Sequence, residues 1–347
     1  MNQPAIHEST SLRKTLGWTL VGLGALAVAN AIRKQMNKYP LEGKVVFITG
    51  GSRGLGLVMA RQLAAKGARL AICARTAEQV ERARQDLQQR GAEVLAFTLD
   101  VTQRDEVHRR VQEVITHYGQ LDVLINNAGV MIVGPQEAMN MEDFDWAMNT
   151  HFWAPLHSMQ AVIPHFRERG EGRIVNIASI GGKIAFPHLL PYTASKFALV
   201  GLSEGMHAEL KKYNIHVTTV SPNLTRTGSP RNVTVKGDAE AEYAWFKISD
   251  SAPWLAQEVE SAAADILEAL EYGKSEVVLT ATGKAAALLQ GVMPGWVSDA
   301  LVLVDRFLPE NIEGGSMGRK GHDSESARSQ GPIAALTDKA AMENNEL

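Results

Sequence analysis

Cysteine is nearly absent: Cys73 stands alone, so no intramolecular disulfide can form, and its place in an apolar run fits a reducing compartment. Net charge is also scarce. A balance of −3 gives no basis for a nucleic-acid partner. No internal repeat occurs, and no metal-ligand spacing is present. The ten histidines are scattered and read as structural by default. What remains is ordinary globular composition, 45% hydrophobic and 21% charged, in a chain of 347 residues that can bury a full core.

The first apolar segment has no charge over eighteen residues, from Thr15 to Ile32. That length just suffices for one membrane-spanning helix, with Trp18 near an interface. Arg33, Lys34 and Lys38 follow it and Arg13 and Lys14 precede it, a bias that keeps the following domain in the cytoplasm. Ala29-Asn-Ala31 also resembles a signal-peptidase site, and an amphipathic helix is a third reading. The expected organisation is a tail and membrane anchor over 1–40, an α/β domain over 41–282, an apolar helical segment over 283–309 and a disordered tail over 310–347.

Strands and helices then alternate. Runs at 44–49, 69–74, 93–99, 121–126, 173–178, 216–220 and 276–280 read as strands. The segments between them carry helical patterns. That rhythm predicts a doubly wound parallel sheet of about seven strands. Between the first strand and its helix lies Gly50-Gly-Ser-Arg-Gly-Leu-Gly56, whose glycines let backbone approach a pyrophosphate at a helix N-terminus. After the second strand come Ala74 and Arg75, where an NAD site usually places an acid. Together with Arg53, Arg75 suits a 2′-phosphate, which predicts NADP(H).

Tyr192 and Lys196 stand four apart, so on a helix they share a face. A lysine ammonium beside the phenol favours the phenolate and fits Tyr192 for proton exchange with a carbonyl or alcohol oxygen. Ser179 ends the strand at 173–178, where open α/β sheets bind ligands.

With TGGSRGLG, NNAG and YTASK in this order, residues 42–282 resemble the short-chain dehydrogenases/reductases and their Rossmann-like fold. The resemblance implies that Gly50, Ser52, Arg53, Gly54 and Gly56 hold the cofactor phosphates, with Arg75 at the 2′-phosphate. Asp100 and Val101 would lie by the adenine, and Asn127, Ala128 and Gly129 along the cofactor groove. Ser179 would hold the substrate oxygen and Tyr192 act as acid/base. Lys196 would bond the nicotinamide ribose and lower the Tyr192 pKa, while Pro222 and Thr227 orient the nicotinamide amide. Two positions depart from the family pattern. His151 stands where a catalytic asparagine is usual; its imidazole could hold the relay water or titrate in the relay itself, and the other reading is a helix histidine with no catalytic part. Pro222-Asn223 replaces Pro-Gly, a turn that asparagine preserves if it adopts a left-handed backbone.

The polar insert at 224–255, with aromatics at Tyr243, Trp245, Phe246 and Trp254, reads as a substrate lid. The apolar residues of 284–308 could line the substrate entrance, touch a bilayer or pair subunits. The expected activity is NADP(H)-dependent interconversion of a ketone or aldehyde and an alcohol on a lipophilic substrate. Membrane lipid and further copies of the chain are the expected partners. The alternative is a catalytically impaired NADP(H)-binding scaffold or redox sensor, which His151 alone favours.

Overall fold

The computed structural model describes residues 38–347 except Trp254 and Ile333. The expected anchor at 15–32 lies outside the described residues. Two compact units divide at Pro40, and everything below concerns Leu41–Leu347.

Seven strands form one wholly parallel sheet. They are β1 (Val45–Thr49), β2 (Arg69–Ala74), β3 (Val94–Thr98), β4 (Val123–Asn126), β5 (Gly172–Ile177), β6 (Ile215–Ser221) and β7 (Glu276–Val278). Their spatial order is β7-β6-β5-β4-β1-β2-β3. Every residue of β1 is buried, because helices cover both faces and the strand has no solvent side on which to alternate. The order in which strands are added reverses between β1 and β4, which opens a crevice at the strands' C-terminal ends. This is the Rossmann arrangement expected from the alternating pattern.

Three helices cover one face: α3 (Arg104–Tyr118), α5 (Ala154–Arg169) and α6 (Leu190–Leu210). Val107, Val111, Val162 and Phe166 pack there against Phe47, Leu124 and Ile174, and each fully buried side chain of this size contributes about 1.5–3 kcal/mol. Helices α1 (Gly54–Ala65), α2 (Ala77–Gln89) and α8 (Val259–Tyr272) cover the other face. The long helical pattern before β5 divides in two. Helix α4 (Met141–Met148) opens with an Asn140/Asp143 capping box and runs into α5 through a π-helical turn at Asn149–Trp153.

The insert folds around α7 (Ala239–Ser251), whose Tyr243 and Phe246 pack on Val133, Val233 and Val235. Beyond β7, α9 (Ala281–Val292) and α10 (Pro294–Asp305) meet at a 119° bend, where Pro294 cannot continue a helix. No single helix among the described residues is long and apolar enough to cross a membrane, although this bent pair passes by length and composition.

The segment from Glu310 onward corrects the expectation of a disordered tail. Arg319–Lys320 pairs antiparallel with Thr234–Val235, and α11 (Ala334–Glu343) packs on α7. Composition misled here because the packing uses small residues, with Ala334, Thr337 and Ala341 buried. Lys247, itself buried in α7, pairs with Asp338 at 2.8 Å and replaces the missing large apolar contacts.

Candidate active site

All sequence-predicted site residues converge on one cavity of about 890 Å³ at the C-terminal ends of the strands. Its cofactor end begins at the glycine-rich turn. Gly50 has φ +66°, and a Cβ on Gly56 would lie 2.2 Å from the Gly50 carbonyl oxygen, so neither position admits a side chain. Asn127 Nδ2 donates to that same oxygen at 2.9 Å, and the Asn127 amide donates to Thr49 Oγ1 at 3.1 Å. These bonds lock the Asn127–Gly129 turn against the glycine-rich turn.

Helix α1 starts at Arg53 with no side-chain cap and no acid in its first turn, which leaves its amides for another acceptor. Ser52 Oγ is buried without a hydrogen-bond partner among the described residues. Both observations fit a phosphate-bearing ligand. Arg53 and Arg75 line the cavity here, and sequence reasoning missed a third nearby cation, Lys320. Burial first, then Arg75 and Arg53, holds the Lys320 pKa below its usual value. Asp100 accepts from the Thr102 amide and hydroxyl at the end of β3, with Val101 buried beside it.

The chemical centre sits deeper. Lys196 is buried on α6, one turn from Tyr192, and its Nζ donates to the Ile177 carbonyl at 2.8 Å. That nitrogen stands 5.6 Å from the centre of the Tyr192 ring. Ser179 Oγ accepts from the Gly181 amide at 3.0 Å, and its hydroxyl acts to lower the Tyr192 pKa. Pro222 lines the wall and its carbonyl accepts from the Ile180 amide at 2.8 Å, while Thr227 is buried beside it.

The charge states of Tyr192 and Lys196 answer first to their burial. Burial, opposed by the Ser179 bond and reinforced by Asp250, pushes the phenol up to about 12. Burial also pushes Lys196 down to about 7, so its charge is only partly present near neutrality. Desolvation acts on both groups in favour of their neutral forms.

His151 lies against Tyr192. It is buried in the π-helical turn, and Nε2 accepts from the Val130 amide at 3.1 Å. Nδ1 therefore carries the proton and bonds Ser195 Oγ at 2.8 Å, and that hydroxyl donates to the Tyr192 carbonyl at 2.8 Å. Its ring packs edge-on against Tyr192 with centroids 5.4 Å apart. Burial, then the Lys196 charge, holds its pKa well below the usual histidine value. With both nitrogens bonded and the ring neutral, His151 ties the Val130 loop to the turn bearing Tyr192.

Asn223 keeps its turn differently from expectation. It is not among the left-handed residues, and its Nδ2 reaches the Leu255 carbonyl at 3.4 Å and Thr280 Oγ1 at 3.5 Å instead.

The substrate end is apolar, walled by Phe186, Leu189, Trp245, Phe246, Leu255, Val304 and Leu308. Fully buried Glu242 accepts from Trp245 Nε1 and bonds His188 Nδ1, each at 2.6 Å, which fixes both walls. His188 stands at φ +60°, a left-handed conformation for a non-glycine residue. The insert thus both covers the cavity, as a lid would, and carries a small core of its own. Glu346 lines the cavity as well, and no sequence signal pointed to it.

A short chain dehydrogenase profile matches residues 44–236. A putative oxidoreductase SadH of Mycobacterium tuberculosis is 32% identical over 254 residues, 73% of this chain and 91% of its own. A 3-ketodihydrosphingosine reductase of Bacteroides thetaiotaomicron is 33% identical over 59% of this chain and 73% of its own. Among solved structures, an actinorhodin polyketide ketoreductase with NADPH aligns at TM-score 0.62 and 28% identity, covering 70% of this chain and 97% of that one. The chain belongs to the short-chain dehydrogenase family and is an oxidoreductase of that family, acting on CH–OH and carbonyl groups.

Proposed function

We propose that the protein is an NADP(H)-dependent enzyme that interconverts a ketone or aldehyde and an alcohol on a lipophilic substrate. The observation that carries this reading is one cavity with Ser179, Tyr192 and Lys196 at its centre, arginines at one end and an aromatic wall at the other. Arg53 and Arg75 stand where the β2 terminus meets the glycine-rich turn, with no carboxylate at the end of β2 to bond a ribose hydroxyl. Bound NADPH supplies the hydride, or NADP⁺ accepts it. Ser179 turns its proton to the substrate oxygen and polarises it, while Tyr192 gives or takes the proton of that oxygen. Lys196, held by the Ile177 carbonyl, places positive charge beneath the Tyr192 ring when it is protonated.

The intact Ser179, Tyr192 and Lys196 set counts against the scaffold alternative. The neighbour solved with NADPH supports the cofactor choice, and the relative named 3-ketodihydrosphingosine reductase supports the substrate class. The uncharged run at 15–32 supports a single-pass anchor with the catalytic domain on the cytoplasmic side. Membrane lipid is a partner on this reading. Exposed Leu288, Val292, Trp296 and Phe307 on and beyond α9 and α10 add apolar surface, and the family's habit supports self-association.

NADPH deuterated at C4, incubated with a lipid extract, tests this reading by mass spectrometry. A lipid that gains deuterium is expected. In Tyr192→Phe the labelling rate should fall by about 10³-fold while NADPH binding persists. Unchanged labelling in that variant overturns the assignment of Tyr192.

A further inference from the structure

We infer that segment 343–347 docks on the glycine-rich turn as an anion mimic and competes with the dinucleotide, so the chain itself closes its cofactor site. The inference rests on the cofactor reading above.

Helix α1 spends none of its first amides on a side-chain cap. The Gly54 amide, which a phosphate at this helix N-terminus would use, donates instead to the Asn344 carbonyl at 2.9 Å. Asn345 then pins the segment between the turn and α2, since its Nδ2 donates to the Ser52 carbonyl at 2.8 Å and the Gln79 carbonyl at 3.0 Å. Arg82 of α2 closes over it, reaching Asn345 Oδ1 at 2.7 Å and the Leu347 carbonyl at 3.0 Å.

Glu346 brings a carboxyl group to the turn; burial, opposed by Arg53 and the Asn232 bond, raises its pKa to about 7, so it is partly ionised near neutrality. Its carboxylate lies 3.3 Å from Arg53 and accepts from Asn232 Nδ2 at 2.7 Å. A Cβ on Gly54 would lie 2.5 Å from Glu346 Oε1, so the carboxyl group stands directly over the turn. A phosphate and this segment need the same amide and the same guanidinium, and their oxygens would occupy the same buried space over the turn. Both cannot be seated together. Helix α11 remains tied to α7 through Lys247 and Asp338, which holds the released segment nearby at high effective concentration.

NADPH affinity by nicotinamide fluorescence tests this in the full chain and in a variant lacking 343–347. Deletion should tighten NADPH binding by about tenfold, the factor for an open form populated near one tenth. Equal or weaker binding after deletion overturns the competition. In the intact protein, NADPH should speed hydrogen exchange at 344–347 while leaving α11 protected, a readout that requires no variant. Slowed or unchanged exchange there overturns the proposal even if the deleted chain misfolds. Absence of NADPH binding in both proteins overturns the cofactor reading itself, which separates the two failures.

Discussion

The two ends of the cavity are built by different physics. At the cofactor end, function resides in backbone: amides at the start of α1, a glycine turn with no room for a Cβ, and the Asn127 amide clamped to the Gly50 carbonyl. Very few residue types satisfy such geometry, so a short motif can encode it. The substrate end is a wall of apolar side chains from the insert and from α10, held by the buried His188–Glu242–Trp245 bonds. Many sequences of similar volume would make an equivalent wall. The difference teaches that a motif announces what the protein does with its cofactor long before it says on what substrate.

The strongest way to break this contrast is Gly56→Ala. The new Cβ would meet backbone at 2.2 Å, and neither the Gly50 carbonyl nor the turn behind it can yield without losing its shape. NADPH binding should fall by more than about 100-fold, because pre-organised donors displaced from their positions forfeit several charge-assisted bonds. Trp245→Ala, at the other end, should leave NADPH affinity unchanged and raise KM. Fluorescence titration of both variants decides the matter, and comparable losses of NADPH affinity would erase the distinction between the two ends.

A smaller effect sharpens it within the cofactor end. Arg75→Ala should weaken NADPH by about tenfold to a hundredfold, the range for one charge-assisted contact, while NADH binding barely changes. Parallel loss of both cofactors would place Arg75 away from the 2′-phosphate and undo the NADP(H) choice.

Legibility followed the same divide. Buried runs such as Val45–Thr49 and Arg69–Ala74 were readable because a parallel sheet covered on both faces requires continuous apolar strands. Ser179, Tyr192 and Lys196 were readable from their spacing and from the strand before them. Segment 343–347 was not, since its bonds join residues 293 positions apart and its anchoring helix packs through alanines. Nothing local marks Glu346 as a partner of Arg53. The charge states of Lys196 and Tyr192 were likewise hidden, because they depend on burial, which a helical spacing does not report. His151 was found by its position, yet its role required knowing which groups meet its two nitrogens.

That role yields the finest test. Burial keeps the His151 ring neutral, with a pKa well below its usual value. Below about pH 6.5 the unfolded chain binds a proton at this residue that the folded chain refuses. Its contribution to stability is therefore complete above that pH and declines as pH falls. One such proton amounts to about 1.4 kcal/mol per pH unit. His157, His165 and His216 are shifted in the same direction, so only the difference between wild type and variant isolates His151. In His151→Asn, the amide oxygen can accept from Val130 and the amide nitrogen can donate to Ser195, without a titrating group. Urea midpoints at pH 7.5 and 5.5 should then show a shallower acid loss than in wild type. Turnover should stay within about tenfold, where loss of a general acid or base would cost about 10²–10⁴. Equal acid slopes with a collapse of turnover would return His151 to the proton relay and remove it from the scaffold that holds Tyr192.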